Sequence, residues 1–231
     1  MTDRNLLLTL RGLSKSFGEG AAKVDALSDV DLDVYSGEIV GLLGPSGSGK
    51  STLLNLIGCI LEPTSGTISL EGQEIWNGVW KHDDLRRLRL EKIGFIFQFH
   101  NLLPFLNAWE NIALIRTLLG DSGNLAKERA FELLDYLKLS RRSAAMPSQL
   151  SGGEAQRVAI ARALANDARI ILADEPTAAL DSERAIAVIQ LLRSAAQMRN
   201  AAVLVVTHDE KILGHLDRRV HLRDGRLVAM D

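Results

Sequence analysis

Gly44, Pro45, Ser46, Gly47, Ser48, Gly49, Lys50, Ser51 and Thr52 form the string GPSGSGKST, set between the apolar run EIVGLL and the apolar run LLNLIGCIL. Gly-x-x-x-x-Gly-Lys-Ser between a buried strand and a helix start is the order a phosphate cradle needs. Glycines let backbone N–H groups converge on phosphate oxygens without a Cβ in the way. A helix beginning near Lys50 adds its positive dipole end. The Lys50 ammonium can reach the terminal phosphates, and the Ser51 hydroxyl can ligate Mg2+. A Gly-Ser surface turn would explain the composition, but not the two flanking runs.

Mg2+ takes further oxygen ligands, commonly one or two carboxylates and several waters. Asp174 and Glu175 follow the apolar run RIILA and offer such oxygens. The ends of parallel strands share one sheet edge with the phosphate loop. Asp174 is therefore expected to hold the metal, directly or through water. Glu175 is expected to accept a proton from an attacking water or to orient that water. Gln98 follows IGFIF and His208 follows AVLVVT, so both should reach the same edge near Lys50.

The elements that must position these groups are legible in outline. Ile39–Leu43, Ile93–Phe97, Arg169–Ala173 and Ala202–Val206 are unbroken apolar runs, the pattern of strands covered on both faces in a parallel sheet. The opening third differs. It looks like short strands, with Val30, Leu32 and Val34 alternating with Asp29, Asp31 and Asp33, and with Ile68 and Leu70 repeating the pattern in GTISLEGQEI. Such alternation predicts a sheet with one wet face.

Roughly 100 to 155 is expected to be a mostly helical insertion. Within it Ala126, Ala130, Leu133, Leu134 and Leu137 fall on one helical face, and Pro147 closes the segment. A further helix places Ala185, Ile189, Leu192 and Ala196 in line, with Asp181 or Ser182 as its N-cap. Asp224-Gly225 between two alternating runs predicts a hairpin.

A chain of 231 residues with 46% apolar and 24% charged residues can bury a full core. Twenty-nine acids against 27 bases give a net charge of −2, no electrostatic reason to expect nucleic acid. RRLR, Arg86 to Arg89, reads as a solvated helix face beside neighbouring acids. Cys59 stands alone among aliphatic residues, so no internal disulfide or thiolate metal site is expected, only a buried inert thiol. No leader segment and no run of the ~20 apolar residues needed to span a bilayer is evident. The chain is expected to be cytosolic, with any spanning part supplied by other subunits.

QLSGGEAQRVAIARALAND reads as a second helix start. Ser151 is its expected N-cap, Glu154 its capping-box partner, and Val158, Ala161 and Ala165 one apolar face. Capping does not explain Gly152 and Gly153 in the first turn, where glycine is a poor helix former. Bare N–H groups at a helix N-terminus form an anion site. Two phosphate-binding helix starts could share one nucleotide only if they faced each other across a pair of chains.

These motifs together resemble the nucleotide-binding subunit of an ATP-binding cassette (ABC) transporter over essentially the whole chain. GPSGSGKST resembles the family's Walker A motif, Gln98 its Q-loop, LSGGE its signature, and ILADE its Walker B. AALD, Ala178 to Asp181, resembles the D-loop and His208 the switch histidine. The resemblance implies an α/β P-loop NTPase cassette in a single domain, with a mostly parallel central sheet, an N-terminal antiparallel β subdomain and a helical insertion. It implies ATP and Mg2+ as cofactors, with Ser51, Gln98 and Asp174 as the metal set and Glu175, His208 and Gln98 as the catalytic set. It also implies a head-to-tail dimer, each ATP lying between Walker A of one copy and Ser151, Gly152, Gly153 and Asp181 of the other. Adenine would stack on Phe17, which stands where the family more often carries tyrosine.

Within the family, FGEGAAKVDAL, QFHNLLPFLNAWEN and LADEPTAALD resemble the LolD, MacB and DevA group. That implies a membrane permease docked near Gln98–Asn111, a position on the inner face of the cell membrane, and in some systems a periplasmic adaptor reached through the permease. Phe99, Leu102, Leu103, Phe105 and Trp109 suit a docking groove, or the core of the insertion itself. A regulatory ATPase signalling through a permease-like partner, as in the FtsE-like branch, is the alternative. A soluble relative acting on DNA or ribosomes would carry a long coiled-coil insertion or a second cassette.

Overall fold

The computed structural model describes residues 5–178 and 180–230. Ala179 of the AALD stretch, and residues 1–4 and 231, lie outside the described residues. Chain order is β1 (Leu6–Phe17), β2 (Val24–Tyr35), β3 (Ile39–Leu43), α1 (Lys50–Ile57), β4 (Ser65–Leu70), β5 (Gln73–Asn77), α2 (Leu85–Lys92), β6 (Ile93–Ile96), α3 (Ala108–Leu119), α4 (Gly123–Tyr136), α5 (Gly152–Leu164), β7 (Ile170–Asp174), α6 (Ser182–Arg199), β8 (Ala202–Val206), β9 (Arg218–Arg223) and β10 (Arg226–Met230).

Two sheets result. β2-β1-β4-β5 is wholly antiparallel, and β10-β9-β3-β8-β7-β6 is parallel except for the final hairpin. The structural fold is that of an ABC-type P-loop cassette, α/β with a helical insertion, as the motif order implied. Both faces of the six-stranded sheet are covered. Ile39, Ile171, Ala173, Val203 and Val205 join the core under α3 to α6, while Val40, Leu42, Leu172, Leu204 and Val206 join the core shared with α1 and the antiparallel sheet. That double burial is why these strands read as unbroken apolar runs.

Three local expectations are corrected. The opening strands are not short: β1 and β2 are 12 residues each, with register shifts along their pairing. The alternation expected in GTISLEGQEI is found, with Ile68 and Leu70 of β4 buried, and Glu71 and Gly72 take left-handed backbone (φ 51° and 76°) and turn the chain into β5. The run expected at Ile93–Phe97 ends at Ile96, and that at Arg169–Ala173 is shifted to Ile170–Asp174. The expected single apolar face of α5 is too narrow. Ala155, Gln156, Ala159, Ile160 and Ala163 are buried as well, since α5 is packed by α3, α4, α6 and β6 at once. The insertion itself is helical, its core built from Ala126, Ala130, Leu133, Leu134 and Leu137, and α2 carries the RRLR face. Cys59 is buried, and burial pushes its thiol pKa up to about 12.

Candidate active site

All five residues of β3 are buried, and the chain leaves the strand at Gly44 with φ 145°. A Cβ at Gly44 would stand 2.0 Å from the Leu222 carbonyl oxygen. Gly49 caps α1 in left-handed backbone (φ 104°), where a Cβ would stand 2.5 Å from the Ala26 carbonyl oxygen. Neither position admits a side chain, so the loop is shaped by what presses on it from behind. Part of that backing is the β9–β10 turn, whose Gly225 N–H donates to the Ser48 carbonyl at 3.1 Å. The hairpin was legible from Asp224-Gly225, but its place under the loop had no local signal.

Lys50 is 9% exposed, and its Nζ donates to the carbonyls of Gly44 (2.8 Å) and Pro45 (2.7 Å). Burial lowers its pKa, against the opposing pull of Glu175 and Asp174. A nearly buried ammonium held by carbonyls, beside the unbonded first-turn N–H groups of α1, is a donor set that fits phosphate.

A cleft of about 620 Å³ opens over this loop. Gly44, Ser46, Gly47, Gly49, Lys50, Ser51 and Thr52 line it, and Ala26, Gln98, Glu175, Val206 and His208 complete it. The expected convergence of Gln98, Glu175 and His208 on Lys50 is therefore found, and Ala26 and Val206 are lining residues that sequence reasoning missed. Asp174, the last residue of β7, is not among the lining residues, but its carboxyl interacts with Ser51 and Lys50, which do line the cleft. Burial raises the Asp174 pKa first, the neighbouring Glu175 charge raises it further, and Ser51 and Lys50 pull it back. A carboxylate in that position, with a hydroxyl and a side-chain amide nearby, is a hard-oxygen set that fits Mg2+.

Glu175 adopts left-handed backbone (φ 47°), and its N–H donates to the Val206 carbonyl at 3.0 Å. Strain of this kind turns the carboxylate out of the strand line and into the cleft. Glu175 Oε1 lies 2.9 Å from His208 Nδ1. His208 is held in turn through buried Thr207, whose N–H reaches the Leu42 carbonyl and whose Oγ1 accepts from the Asp209 N–H at 3.0 Å.

The remaining site residues are elsewhere. Ser151, Gly152 and Gly153 do not line the cleft. The expected cap is present: Ser151 Oγ accepts from the Glu154 N–H at 3.3 Å and Glu154 Oε2 from the Ser151 N–H at 2.8 Å. Asp181 is the N-cap of α6, accepting from the Arg184 N–H at 3.0 Å. Phe17 ends β1, 42% exposed, paired with exposed Val24 and with Lys15 Nζ 5.0 Å from its ring centroid. Of the expected docking residues, Phe99 and Phe105 are exposed, whereas Leu102 and Trp109 pack against the insertion's core. Asn111 is buried too: its Nδ2 donates to the carbonyls of Leu103, Leu106 and Asn107, and its Oδ1 accepts from the Leu103 N–H.

Comparison with known proteins decides the family. The profile of the ABC transporter family matches residues 27–178, the span that holds the phosphate loop, the signature and the strand-end acids. The chain belongs to the ABC transporter family. As an ABC ATP-binding domain it is 45% identical, over 96% of both chains, to a lipoprotein-releasing system ATP-binding protein LolD of Caulobacter vibrioides. It is 46% identical over 96% of its length to the macrolide export ATP-binding/permease protein MacB of Burkholderia pseudomallei, of which it spans 34%. A solved dimer of an ATP-binding cassette in a post-hydrolysis state, bound to ADP and Pi, superposes with a TM-score of 0.87 at 41% identity, covering 97% of this chain and 98% of the other. The ABC domain is thus an ATPase that binds ATP. Among its described residues no helix is long and apolar enough to cross a membrane.

Proposed function

We propose that this domain works as one half of a two-copy motor for a permease of the LolD/MacB type, either exporting a substrate or extracting a lipid or lipoprotein from the membrane. The observation that carries the reading is the division of the site. One complete phosphate cleft lies over Gly44–Thr52, while a second glycine-bearing helix start, with Ser151 and Gly152 exposed and Gly153 half-buried, does not line that cleft.

ATP lays its phosphates on Gly44–Thr52 and its adenine against Phe17. Ser151, Gly152, Gly153 and Asp181 of the partner subunit close the other side. Ser51, Gln98 and Asp174 would hold Mg2+, whose charge stabilises the transferring phosphoryl group. Glu175 takes a proton from water as its oxygen bonds to the terminal phosphorus, and the bond to the bridging oxygen breaks to release ADP. His208, hydrogen-bonded to Glu175 Oε1, holds that carboxylate toward the water.

The permease docks beside Gln98–Asn111. A groove of about 670 Å³ between α2 and the α3–α5 bundle supports this: Phe95, Leu103, Leu114 and Leu118 give it apolar lining and Arg86 and Arg89 give it basic lining. In this reading the ATPase sits in the cytoplasm, peripheral on the inner face of the cell membrane through the permease, with a periplasmic adaptor beyond it where the system has one. The test is Glu175→Gln. The variant is expected to bind ATP as the parent does, to accumulate as an ATP-bound dimer by size-exclusion chromatography, and to turn over no ATP. Parental hydrolysis by the variant contradicts the assignment.

A further inference from the structure

Arg162 lies in the last turn of α5, the helix that starts at the signature turn. Its side chain leaves α5 and reaches the segment that follows Gln98. Nη2 donates to the His100 carbonyl at 2.8 Å and Nη1 to the Asn101 carbonyl at 2.6 Å. Asn101 is in left-handed backbone (φ 48°), so the chain turns where the guanidinium holds it. Among the described residues no carboxylate pairs with Arg162, and burial lowers its pKa.

A half-buried charge answered only by carbonyls carries a desolvation cost, and an apolar residue at the end of α5 would avoid it. What arginine adds is geometry. A planar fork gives each of two successive carbonyls its own NH2 group at a fixed spacing, whereas an ammonium that holds two carbonyls, as Lys50 does, draws both to one nitrogen. The same segment is fixed a second time further on, where Asn111 of α3 holds the backbone of Leu103, Leu106 and Asn107. Gln98 is the end of a strap fastened twice, by Arg162 of α5 and by Asn111 of α3, and Arg162 is the nearer fastening.

We propose that Arg162 is a positioning residue that ties Gln98 to the signature helix, so that the Q-loop and the Ser151–Gly153 turn move as one body. It does not line the phosphate cleft, and acts through the backbone of His100 and Asn101. Because Arg162 also lines the groove between α2 and the insertion, a segment seated there meets the guanidinium that sets Gln98. The consequence for turnover rests on the role proposed above for Gln98; the tether itself does not.

The experiment uses the full chain with Arg162→Lys, Arg162→Gln, Gln98→Ala and the Arg162→Lys/Gln98→Ala pair. Phe99 is 76% exposed and sits between Gln98 and the two held carbonyls, whereas Phe105, 71% exposed, lies beyond the tether and serves as an internal reference. Chymotryptic cleavage after Phe99, relative to cleavage after Phe105, is expected to rise roughly tenfold in both Arg162 variants as the strap opens locally. In R162K, kcat falls about tenfold or more through misplacement of Gln98, while KM for ATP stays within about twofold. The double variant is no slower than Gln98→Ala alone. An unchanged cleavage ratio, a parental kcat in R162K, or additive losses in the double variant would each overturn the proposal. If the parental chain consumes no ATP, the proposed function fails, and the cleavage ratio still decides the tether. Should R162Q not fold, R162K carries the same readouts.

Discussion

The helix starts at α1 and α5 carry similar residues and are held in opposite ways. At α1 the glycines are pinned: Gly44 and Gly49 lie against the backbone of Leu222 and Ala26, and Lys50 is nearly buried. At α5 a Cβ on Gly152 would meet nothing within 4 Å, and one on Gly153 only the side chains of Arg157 and Arg184 at 3.9 Å. Crowding explains Gly44 and Gly49, and left-handed backbone (φ 79°) explains Gly47, where a Cβ would meet nothing within 4 Å; neither reason applies to Gly152 or Gly153. Glycines that the fold does not require are left for something outside the fold, and a phosphate brought by another copy is the proposed occupant.

Five substitutions sharpen that contrast. The largest effect is expected for Glu175→Gln, where turnover measured by phosphate release falls by roughly a thousandfold while ATP binding persists. Next comes the same change at the two turns. Gly49→Ala forces a Cβ into the Ala26 carbonyl in left-handed backbone, and its melting temperature is expected to fall by about 10 °C or more. Gly152→Ala stays within about 2 °C of the parent, yet loses turnover. Equal melting losses at the two positions would remove the distinction.

Smaller, and opposite in sign, is Asp174→Asn. A carboxyl whose folded pKa is raised binds its proton more tightly in the folded state, so its contribution to stability declines as pH rises above 3.8. The nucleotide-free variant is therefore expected to melt a few degrees higher than the parent at pH 7, with the gain vanishing near pH 3.8 and below, while turnover is lost. The smallest effect belongs to Ser151→Ala, which removes an N-cap worth about 1 kcal/mol. Differential scanning calorimetry should show a drop of about 2 to 4 °C, with ATP affinity at the phosphate loop unchanged.

What the sequence disclosed follows the same division. The phosphate loop, the strand-end acids and the signature cap are local arrangements, each specified by neighbours within a few residues, and each was legible. The convergence of Gln98, Glu175 and His208 followed from one rule about parallel strand ends. The hidden parts are those set by distant packing. Gly225 backs the phosphate loop from 177 positions downstream of Ser48 (225 minus 48), and Asn111 proved a buried clamp within a segment expected to be a docking surface. The burial of α5 on nearly every side could not be read from a helix whose small alanines serve several neighbours at once.

Complementation in trans tests the shared site most directly. Lys50→Ala disables the phosphate loop, and Gly152→Ala with Gly153→Ala disables the signature turn; each variant alone is expected to be inactive. Mixed in equal amounts they should recover about a quarter of parental ATPase activity, because half the dimers are mixed and each mixed dimer holds one intact composite site. A mixture that stays silent, or a signature variant that turns over ATP unaided at the parental rate, would contradict the account.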